Sequence, residues 1–358
     1  MDEQTKMIKE LCDTDGIPGF EREVRNKMRE LLTPVSDEII TDRMGGIVGK
    51  KTGDANGPKI LFAGHLDEIG WMVTYVTSKG FLRFQPMGGW WAHVVLAQRV
   101  KIKTRTGEVL GVVGSKAPHA LPAKDRERVL EFKEMFIDVG ATSKEDVEEM
   151  GIRPGDMIVP ISEFTTMRNG DVWVGKALDN RAGCGLAVEV MRRLQNESHP
   201  NILFGGATVQ EEIQLRGAGV LANLVQPDIA FALDVGVAYD TPGFEGYQQS
   251  CNLGEGPLSF IYDTSMIPNV PLRDLVHDTA KELGINLQVD ALTGGGQDGG
   301  KFHISNHGVP TIALGFATRY IHSHTALLSK KDWEQAADLL VAVIKKLDRK
   351  TVDAIHNW

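Results

Sequence analysis

Side chains that can bind a metal ion follow several apolar runs of this sequence, at the points where those runs stop. In α/β sheets, ligands bind beyond the carboxyl ends of the strands, so these side chains are candidates for one shared site. Five separate runs contribute, and none of them contributes a cysteine. The candidates are, in chain order, His65, Asp67, Asp179, Glu211, Glu212, Asp234, His322 and His324.

A cluster of acids at one edge of a sheet needs a positive partner. A single aspartate after a strand is usually a helix N-cap, but several carboxylates together would repel one another. Lysines and arginines are not concentrated at these positions, although Arg181 and Arg216 lie close in the sequence. A divalent cation is the better candidate, and His, Asp and Glu ligands without thiolate suit zinc, cobalt or manganese.

The segment NILFGGATVQEEIQLRG ends an apolar run in two adjacent acids, Glu211 and Glu212. Neighbours on a strand point to opposite faces, so both can reach one site only if the chain turns here. If Glu212 binds the metal, Glu211 is placed to take a proton from the activated water, whose pKa zinc brings near 7. Ligand plus general base is our interpretation; the alternative is two solvated acids that begin a helix.

Two pairs of residues are spaced by two positions and so share a face of an extended chain. In the first pair, Asp67 is better placed to orient the ring of His65 than to bind the metal directly, as carboxylates commonly do behind a metal-bound histidine. In the second pair, the residues alone do not choose between His322 and His324.

Apolar periodicity predicts an α/β domain interrupted by a β-rich insertion. Longer helical and strand patterns fill residues 1–68 and 164–358, whereas 69–163 is a series of short, partly alternating segments separated by glycine, typical of a small barrel. The predicted helices are 3–12, 20–32, 180–195, 216–224, 270–283 and 330–347, and the predicted strands include 59–64, 201–208, 229–234 and 310–316.

Composition limits the classes of function. The 358 residues favour two domains, and the net charge of −9 argues against a nucleic-acid or anionic-membrane surface. No segment approaches the roughly 18 apolar residues of a membrane span, and the charged start lacks the apolar core of a signal peptide. Three separated cysteines favour a reducing compartment. We therefore expect a cytoplasmic protein with no membrane or nucleic-acid partner.

Taken together, five motifs resemble the M42 family of dinuclear metallo-aminopeptidases, which includes glutamyl and tetrahedral aminopeptidases and proteins once labelled endoglucanases. The resemblance covers essentially the whole chain, in the family's order and at similar spacing. The motifs are AGHLDEIGWMV, ALDNRAGCG, VQEEIQLRGA, ALDVGVAYDTPG and TRYIHS.

The resemblance implies a zinc-peptidase-like α/β fold, with a mostly parallel mixed sheet and flanking helices, and an inserted β-barrel-like domain that makes dimers. It implies an aminopeptidase that hydrolyses the N-terminal residue from peptides, with a hydroxide bridging two divalent cations, Zn²⁺ or Co²⁺ and in some cases Mn²⁺. The dimers would build a homo-oligomer of the tetrahedral dodecamer type. The implied roles are Asp179 as bridging ligand, Glu212 with His322 and His65 with Asp234 as the two ligand pairs, Glu211 as general base and Asp67 as support for His65.

Two stretches bear on questions that the resemblance leaves open. TGGGQDGGKFH has Gln297 where a threonine beside Asp298 is expected, which concerns substrate preference rather than catalysis. FQPMGGWWAHVV, with His93, could line a substrate path or a subunit contact, and buried packing is our preferred interpretation. The preferred N-terminal side chain, the cellular metal and the exact oligomer are not fixed by the sequence.

Two other classes of function compete with the aminopeptidase. A glycoside hydrolase of the endoglucanase type also uses a pair of carboxylates, but its chemistry has no need of His65 and His322. A non-catalytic metal-binding assembly protein would need the ligands but not a base at Glu211.

Overall fold

The protein folds into a large mixed sheet and a closed barrel. The computed structural model describes residues 1–246 and 251–358. The strands are β1 (Glu38–Thr41), β2 (Ile47–Thr52), β3 (Lys59–His65), β4 (Gly70–Val76), β5 (Phe81–Met87), β6 (Arg99–Lys103), β7 (Glu108–Gly114), β8 (Phe136–Asp138), β9 (Met157–Pro160), β10 (Thr165–Met167), β11 (Val172–Gly175), β12 (Ile202–Thr208), β13 (Ile229–Val237), β14 (Pro257–Tyr262), β15 (Gln288–Ala291), β16 (Thr311–Arg319) and β17 (Ala326–Ser329). The helices are α1 (Glu3–Asp13), α2 (Arg22–Leu32), α3 (Lys144–Glu149), α4 (Leu178–Leu194), α5 (Arg216–Val225), α6 (Val270–Leu283), α7 (Gly299–Phe302), α8 (Lys330–Lys346) and α9 (Arg349–His356).

The centre of the sheet is parallel and its flanks are antiparallel. The order is β1-β2-β12-β3-β13-β16-β17-β11-β10, with β14 and β15 branching from β16. The pairs β12/β3, β3/β13 and β13/β16 are parallel, so their carboxyl ends meet at one edge. The flanking pairs β1/β2, β2/β12, β16/β17 and β17/β11 are antiparallel. The predicted mixed α/β fold is confirmed, and the parallel part is the part that presents the site.

Both faces of the central strands are covered by helices, as a parallel sheet requires. On β3, Ile60 and Phe62 belong to the core formed with α1, α2, α4 and α8. The alternate residues Leu61 and Ala63 belong to the opposite core, formed with α5 and α7. This explains the continuous apolar run KILFAG, which has no polar face. None of the helices in the described ranges is both long and apolar enough to cross a bilayer.

The strands β4 to β9 close into a barrel in the order β4-β5-β8-β7-β6-β9, which confirms the predicted barrel-like insertion. Its interior has its own apolar cluster, separate from the cores beside the sheet. In that cluster Trp90 stacks on Trp71 with ring centroids 4.1 Å apart, and its indole N–H donates to the carbonyl of Gly70. The next residue, Trp91, is exposed. Buried packing is therefore the role of only the first tryptophan of the pair.

Buried ion pairs join the barrel to the sheet. The ammonium of Lys176, which follows β11, lies 2.7 Å from Glu68 and 3.0 Å from Asp15. Asp15 also pairs with Lys101 of β6. Burial alone would raise the pKa of Asp15, but Lys176 and Lys101 outweigh it and lower the pKa to about 2. These ion pairs connect the N-terminal segment, the residue that follows β11 and barrel strand β6.

Lys176→Met removes the cation that Glu68 and Asp15 share. Asp15 keeps Lys101, but buried Glu68 loses its nearest cation and keeps only Arg181 at 3.6 Å. We expect the free energy of unfolding to fall by roughly 3–5 kcal/mol. The matched control is Lys330→Met, whose ammonium pairs with half-exposed Asp2 at 3.0 Å and should contribute less than about 1 kcal/mol. Chemical denaturation followed by tryptophan fluorescence measures both changes, and equal losses would contradict this account.

Candidate metal centre

Six of the predicted side chains meet in one cavity of about 590 Å³ at the carboxyl edge of the parallel strands. β3 ends on His65, and Asp179 lies in the first turn of α4. Asp234 lies within β13, which runs three residues beyond the predicted end. The others follow strands in irregular segments. The cavity-lining residues of the predicted set are His65, Asp179, Glu211, Glu212, Asp234 and His322.

A turn after β12 allows both adjacent glutamates to face the cavity. Gln210 has a positive φ of 55°, the left-handed region, which redirects the chain just before Glu211. The carboxylate of buried Asp67 accepts hydrogen bonds from the backbone N–H groups of Glu211 and Glu212, each at 3.0 Å. The carboxylate of Glu21 accepts from the N–H of Gln210 at 3.1 Å. The turn that the sequence interpretation required is present, and two acids hold it.

The carboxylate of Asp179 lies between the two histidines. Its Oδ1 is 3.2 Å from Nε2 of His65, and its Oδ2 is 3.5 Å from Nε2 of His322. Asp234 Oδ1 lies 3.9 Å from the first ring, and Glu212 Oε2 lies 3.7 Å from the second. These contacts define two three-residue groups that share Asp179: His65, Asp179, Asp234 and Asp179, Glu212, His322.

The spacing of these atoms fits divalent metal ions. Ligand atoms about 2.0–2.1 Å from a tetrahedral zinc lie roughly 3.3 Å from one another, close to the observed separations of 3.2–3.9 Å. Glu212 Oε1 is buried and has no hydrogen-bond partner, which is costly unless a cation or a water satisfies it. The donor set contains only imidazole and carboxylate, as the sequence predicted.

Each histidine is oriented through its other ring nitrogen by a backbone carbonyl. His65 Nδ1 lies 2.9 Å from the carbonyl oxygen of Asp67 and 3.6 Å from its carboxylate. His322 Nδ1 lies 2.7 Å from the carbonyl oxygen of Gly89, in the loop after β5 of the barrel. If Nδ1 carries the proton in both rings, each Nε2 is free to bind a metal. Asp67 thus orients His65 mainly through its backbone, and its carboxylate holds the glutamates instead.

Without a cation the cluster is electrostatically unfavourable. Burial raises the pKa of Glu211 and Asp234 well above their usual values, and neighbouring acids add to it. Burial likewise raises the pKa of Glu212 to about 8 despite the opposing effect of His322. Burial lowers the pKa of His65, but Glu211, Asp179 and Asp67 outweigh it and raise that pKa. Bound cations would relieve this repulsion.

His324 joins none of the three-residue groups found among residues 1–246 and 251–358. His322 has a positive φ of 57°, so the loop after β16 does not continue as an extended strand there. The two histidines therefore do not share a face, as residues two apart on a strand would. The structure brings His322 to Asp179 and leaves Nδ1 of His324 buried without a hydrogen-bond partner.

Three contributors to the site were not singled out for it from the sequence. Gly89 carries the carbonyl that orients His322, and an added Cβ there would lie 2.8 Å from its Nδ1. Glu21 holds the turn before Glu211. Buried Asp298 pairs with the hydroxyl of Thr208, and burial raises its pKa to about 7. Of these three, only Gly89 had a signal in the sequence: it belongs to the glycine pair of GGWW, and paired glycines often mark a close approach of backbone.

A parallel sheet edge that gathers histidines and carboxylates around a shared aspartate is typical of metal-dependent hydrolases. A family model described as M42 glutamyl aminopeptidase matches residues 45–339, and one described as AMPT matches residues 2–28. The chain belongs to the M42 peptidase family, and is therefore a peptidase.

Two curated relatives match along nearly their whole length. The glutamyl aminopeptidase of Lactococcus lactis subsp. cremoris is 34% identical over 98% of this chain and 98% of its own. The lysyl aminopeptidase of Pyrococcus furiosus is 32% identical over 96% of this chain and 97% of its own. These relatives are named for opposite charges on the released residue, so membership of the family alone does not define the substrate.

Solved structures match the fold equally well. The TET aminopeptidase from the marine sediment archaeon Thaumarchaeota archaeon SCGC AB-539-E09 has a TM-score of 0.96 and 43% identity, covering 99% of both chains. The TET1 peptidase of Pyrococcus horikoshii, described as assembling into a tetrahedron or a large octahedral shell, has a TM-score of 0.85 and 30% identity, covering 96% of this chain and 100% of its own.

Gly89→Ala should weaken metal binding without removing a ligand. The added Cβ would meet His322 Nδ1 at 2.8 Å and displace the ring from Asp179 and Glu212. We expect the affinity of the group that contains His322 for zinc to fall by about 10–100-fold, the usual effect of losing a contact that orients a ligand. Titration calorimetry of the metal-free protein with zinc measures it.

The matched control for this experiment is Gly219→Ala in α5. An added Cβ there meets nothing nearer than Lys301 Cβ at 4.0 Å, so zinc binding should be unchanged. Unaltered zinc binding in the Gly89 variant would show that the barrel loop does not orient His322.

Proposed function

We propose that this peptidase is an aminopeptidase that uses two divalent cations to remove the N-terminal residue from peptides. The observation that carries the proposal is the shared carboxylate: the two oxygens of Asp179 face different histidines. Further acids lie beside each ring, Asp234 and Glu211 near His65 and Glu212 near His322. Two cations bound here would lower the pKa of a water between them to near neutrality and stabilise negative charge on the attacked carbonyl oxygen.

In this proposal the protein's own residues hold the cations and move the proton. His65 and Asp234 would hold one cation, Glu212 and His322 would hold the other, and the carboxylate of Asp179 would be shared between them. Zinc, cobalt and manganese all suit this set of ligands.

Glu211 is the proposed general base. Its Oε2 lies 3.7 Å from Nε2 of His65, near enough to the ligands to reach a water that they hold. It takes a proton there and later passes it to the leaving amine. Asp67 supports the step by fixing the backbone of Glu211 and Glu212.

We also propose that the insertion, residues 69–163, makes dimers that assemble into a larger shell of the tetrahedral type, and that the protein is cytoplasmic. The support for assembly is the likeness to the Pyrococcus horikoshii peptidase, which forms such shells. The support for a reducing compartment is that all three cysteines are buried free thiols.

Glu211→Gln tests the role of the base separately from metal binding. We expect turnover of an unblocked peptide to fall by roughly 10²–10⁴-fold, while elemental analysis still finds two cations per chain. The companion variant Glu212→Gln should instead lose one cation, because it alters a proposed ligand. A Glu211→Gln enzyme that keeps wild-type turnover would favour the alternative of a non-catalytic metal-binding assembly.

Removal of metal distinguishes the aminopeptidase from the glycoside hydrolase alternative. Dialysis against a chelator should abolish release of the N-terminal residue, and zinc, cobalt or manganese added back one at a time should restore it to different extents. The same preparations are offered a soluble β-glucan. Hydrolysis of the glucan that survives chelation, with no release of amino acids in any preparation, would sink the proposal.

A further inference from the structure

Beyond the candidate ligands, the cavity has an uncharged wall. Its apolar part consists of Leu215, Val235, Val237, Phe260, Leu292 and Ile321. Its polar part is provided by hydroxyl and amide side chains and by backbone: Gln214, Thr264, Ser265, Gln297 and the glycines at 294–296. Such a wall can enclose an aliphatic side chain and offers a charged one only neutral dipoles.

The absence of charge covers the whole described lining of the cavity. Apart from His65, Asp179, Glu211, Glu212, Asp234 and His322, no Lys, Arg, His, Asp or Glu lines it among the residues described. The four residues outside the description, 247–250, read YQQS and include no charged residue either. A glutamyl side chain would find no cation on this wall, and a lysyl side chain would find no free carboxylate.

One acid does lie directly behind this wall, and it is fully covered. Asp263 is 2% exposed. Its Oδ1 accepts from the N–H and the hydroxyl of Ser265, both at 2.6 Å, and from the N–H of Met266 at 2.8 Å. Its Oδ2 accepts from Nε2 of Gln297 at 2.7 Å. Two side chains both bond this acid and line the cavity: Ser265 donates to Oδ1 and Gln297 donates to Oδ2. Among the described residues, Gln297 is therefore the wall side chain that occupies Oδ2.

Gln297 is itself fixed in this position. It is 4% exposed, and its Oε1 accepts from the N–H of Gly299 at 2.9 Å. Both ends of the amide are thus used inside the protein, one on Asp263 and one on the start of α7. This is the position at which the sequence departs from the expected threonine, whose shorter side chain could not span the same two partners.

We infer that the cavity accepts an uncharged aliphatic N-terminal side chain, and that Gln297 sets this preference by covering Asp263. The inference rests on the proposed aminopeptidase function and concerns which residue that function releases. A charged side chain would leave water for a wall with no counter-charge and would pay an uncompensated desolvation penalty. An aliphatic side chain carries no charge and avoids this penalty. The chain would then differ from both the glutamyl and the lysyl relative.

The first test uses the wild-type protein, in its assembled and metal-loaded form, with the p-nitroanilides of leucine, methionine, glutamate and lysine. We expect kcat/KM for the leucine or methionine substrate to exceed that for both charged ones by at least about tenfold. Equal or better cleavage of the glutamyl or lysyl substrate overturns the inference and leaves the aminopeptidase standing. No cleavage of any substrate or of unblocked peptides removes the proposed function and this inference with it.

The second test uncovers the acid. Gln297→Ala should raise the lysine-to-leucine ratio of kcat/KM by at least about tenfold, because Asp263 Oδ2 becomes available to an ammonium group. In Gln297→Ala combined with Asp263→Asn the ratio should return to the wild-type value. Gln195→Ala, which removes an amide that lies outside the cavity lining and donates to the carbonyl of Pro34, should leave the ratio unchanged.

Melting temperature and metal content show whether each variant is folded, and Gln297→Thr replaces the alanine variant if that one is not. An unchanged ratio in a folded Gln297 variant contradicts the inference. A raised ratio that persists without the carboxylate of Asp263 contradicts it as well.

Discussion

Four acids and two histidines share one cavity, and the negative charges of the acids repel one another. Glu211, Glu212 and Asp234 all have raised pKa values because burial disfavours their charged forms. A fold that brings such groups together must provide both a rigid frame and a positive partner. The frame is visible in the structure, and the ligand spacing around Asp179 indicates where positive partners fit. Asp67, Glu21 and the carbonyl of Gly89 hold these side chains together through hydrogen bonds.

The frame has two parts that come from different regions of the chain. The parallel strands bring His65 and Asp234 to one edge, where Asp67 fixes the turn that presents both glutamates. The barrel provides the carbonyl of Gly89 that orients His322, a contact between residues 233 positions apart. The buried ion pairs of Lys176 and Asp15 link these parts directly behind the site. The inserted barrel therefore contributes a contact that orients a residue of the candidate metal centre.

The sequence predicted which side chains meet in the cavity because that information is local. An apolar run that stops on a histidine or an acid is visible without knowing the fold, and the rule for parallel sheets then brings such ends together. The same reasoning named Asp67 as the support of His65 but did not distinguish its carbonyl from its carboxylate, because that choice depends on ångström-scale geometry. It ended β13 at Asp234, whereas pairing with β16 extends the strand to Val237. Pairing partners are non-local, and apolar periodicity does not encode them.

Contacts between the barrel and the sheet were beyond prediction for the same reason. The interpretation of GGWW as buried packing is correct for Trp90, which stacks on Trp71. It overlooked Gly89, because nothing near residue 89 in the sequence indicates a contact with His322. Lys176 and Glu68 are ordinary surface residue types whose burial becomes evident only once the N-terminal segment is packed against the strand before the site. Charged pairs that join distant segments leave no periodic signal.

The separation between the metal ligands and the uncharged wall explains how one scaffold can serve relatives named for different substrates. The residues proposed to carry the chemistry are held by strands and by Asp67, whereas the wall is formed by segments around 260–265 and 292–297. Substitutions in those segments can alter the charge offered to a side chain without moving a ligand. Gln297 is one example. Its side-chain amide donates a hydrogen bond to the carboxylate of buried Asp263 and accepts one from the backbone N–H of Gly299 at the start of α7. Exchanging it changes what the cavity recognises, while the shared carboxylate of Asp179 stays where the two histidines need it.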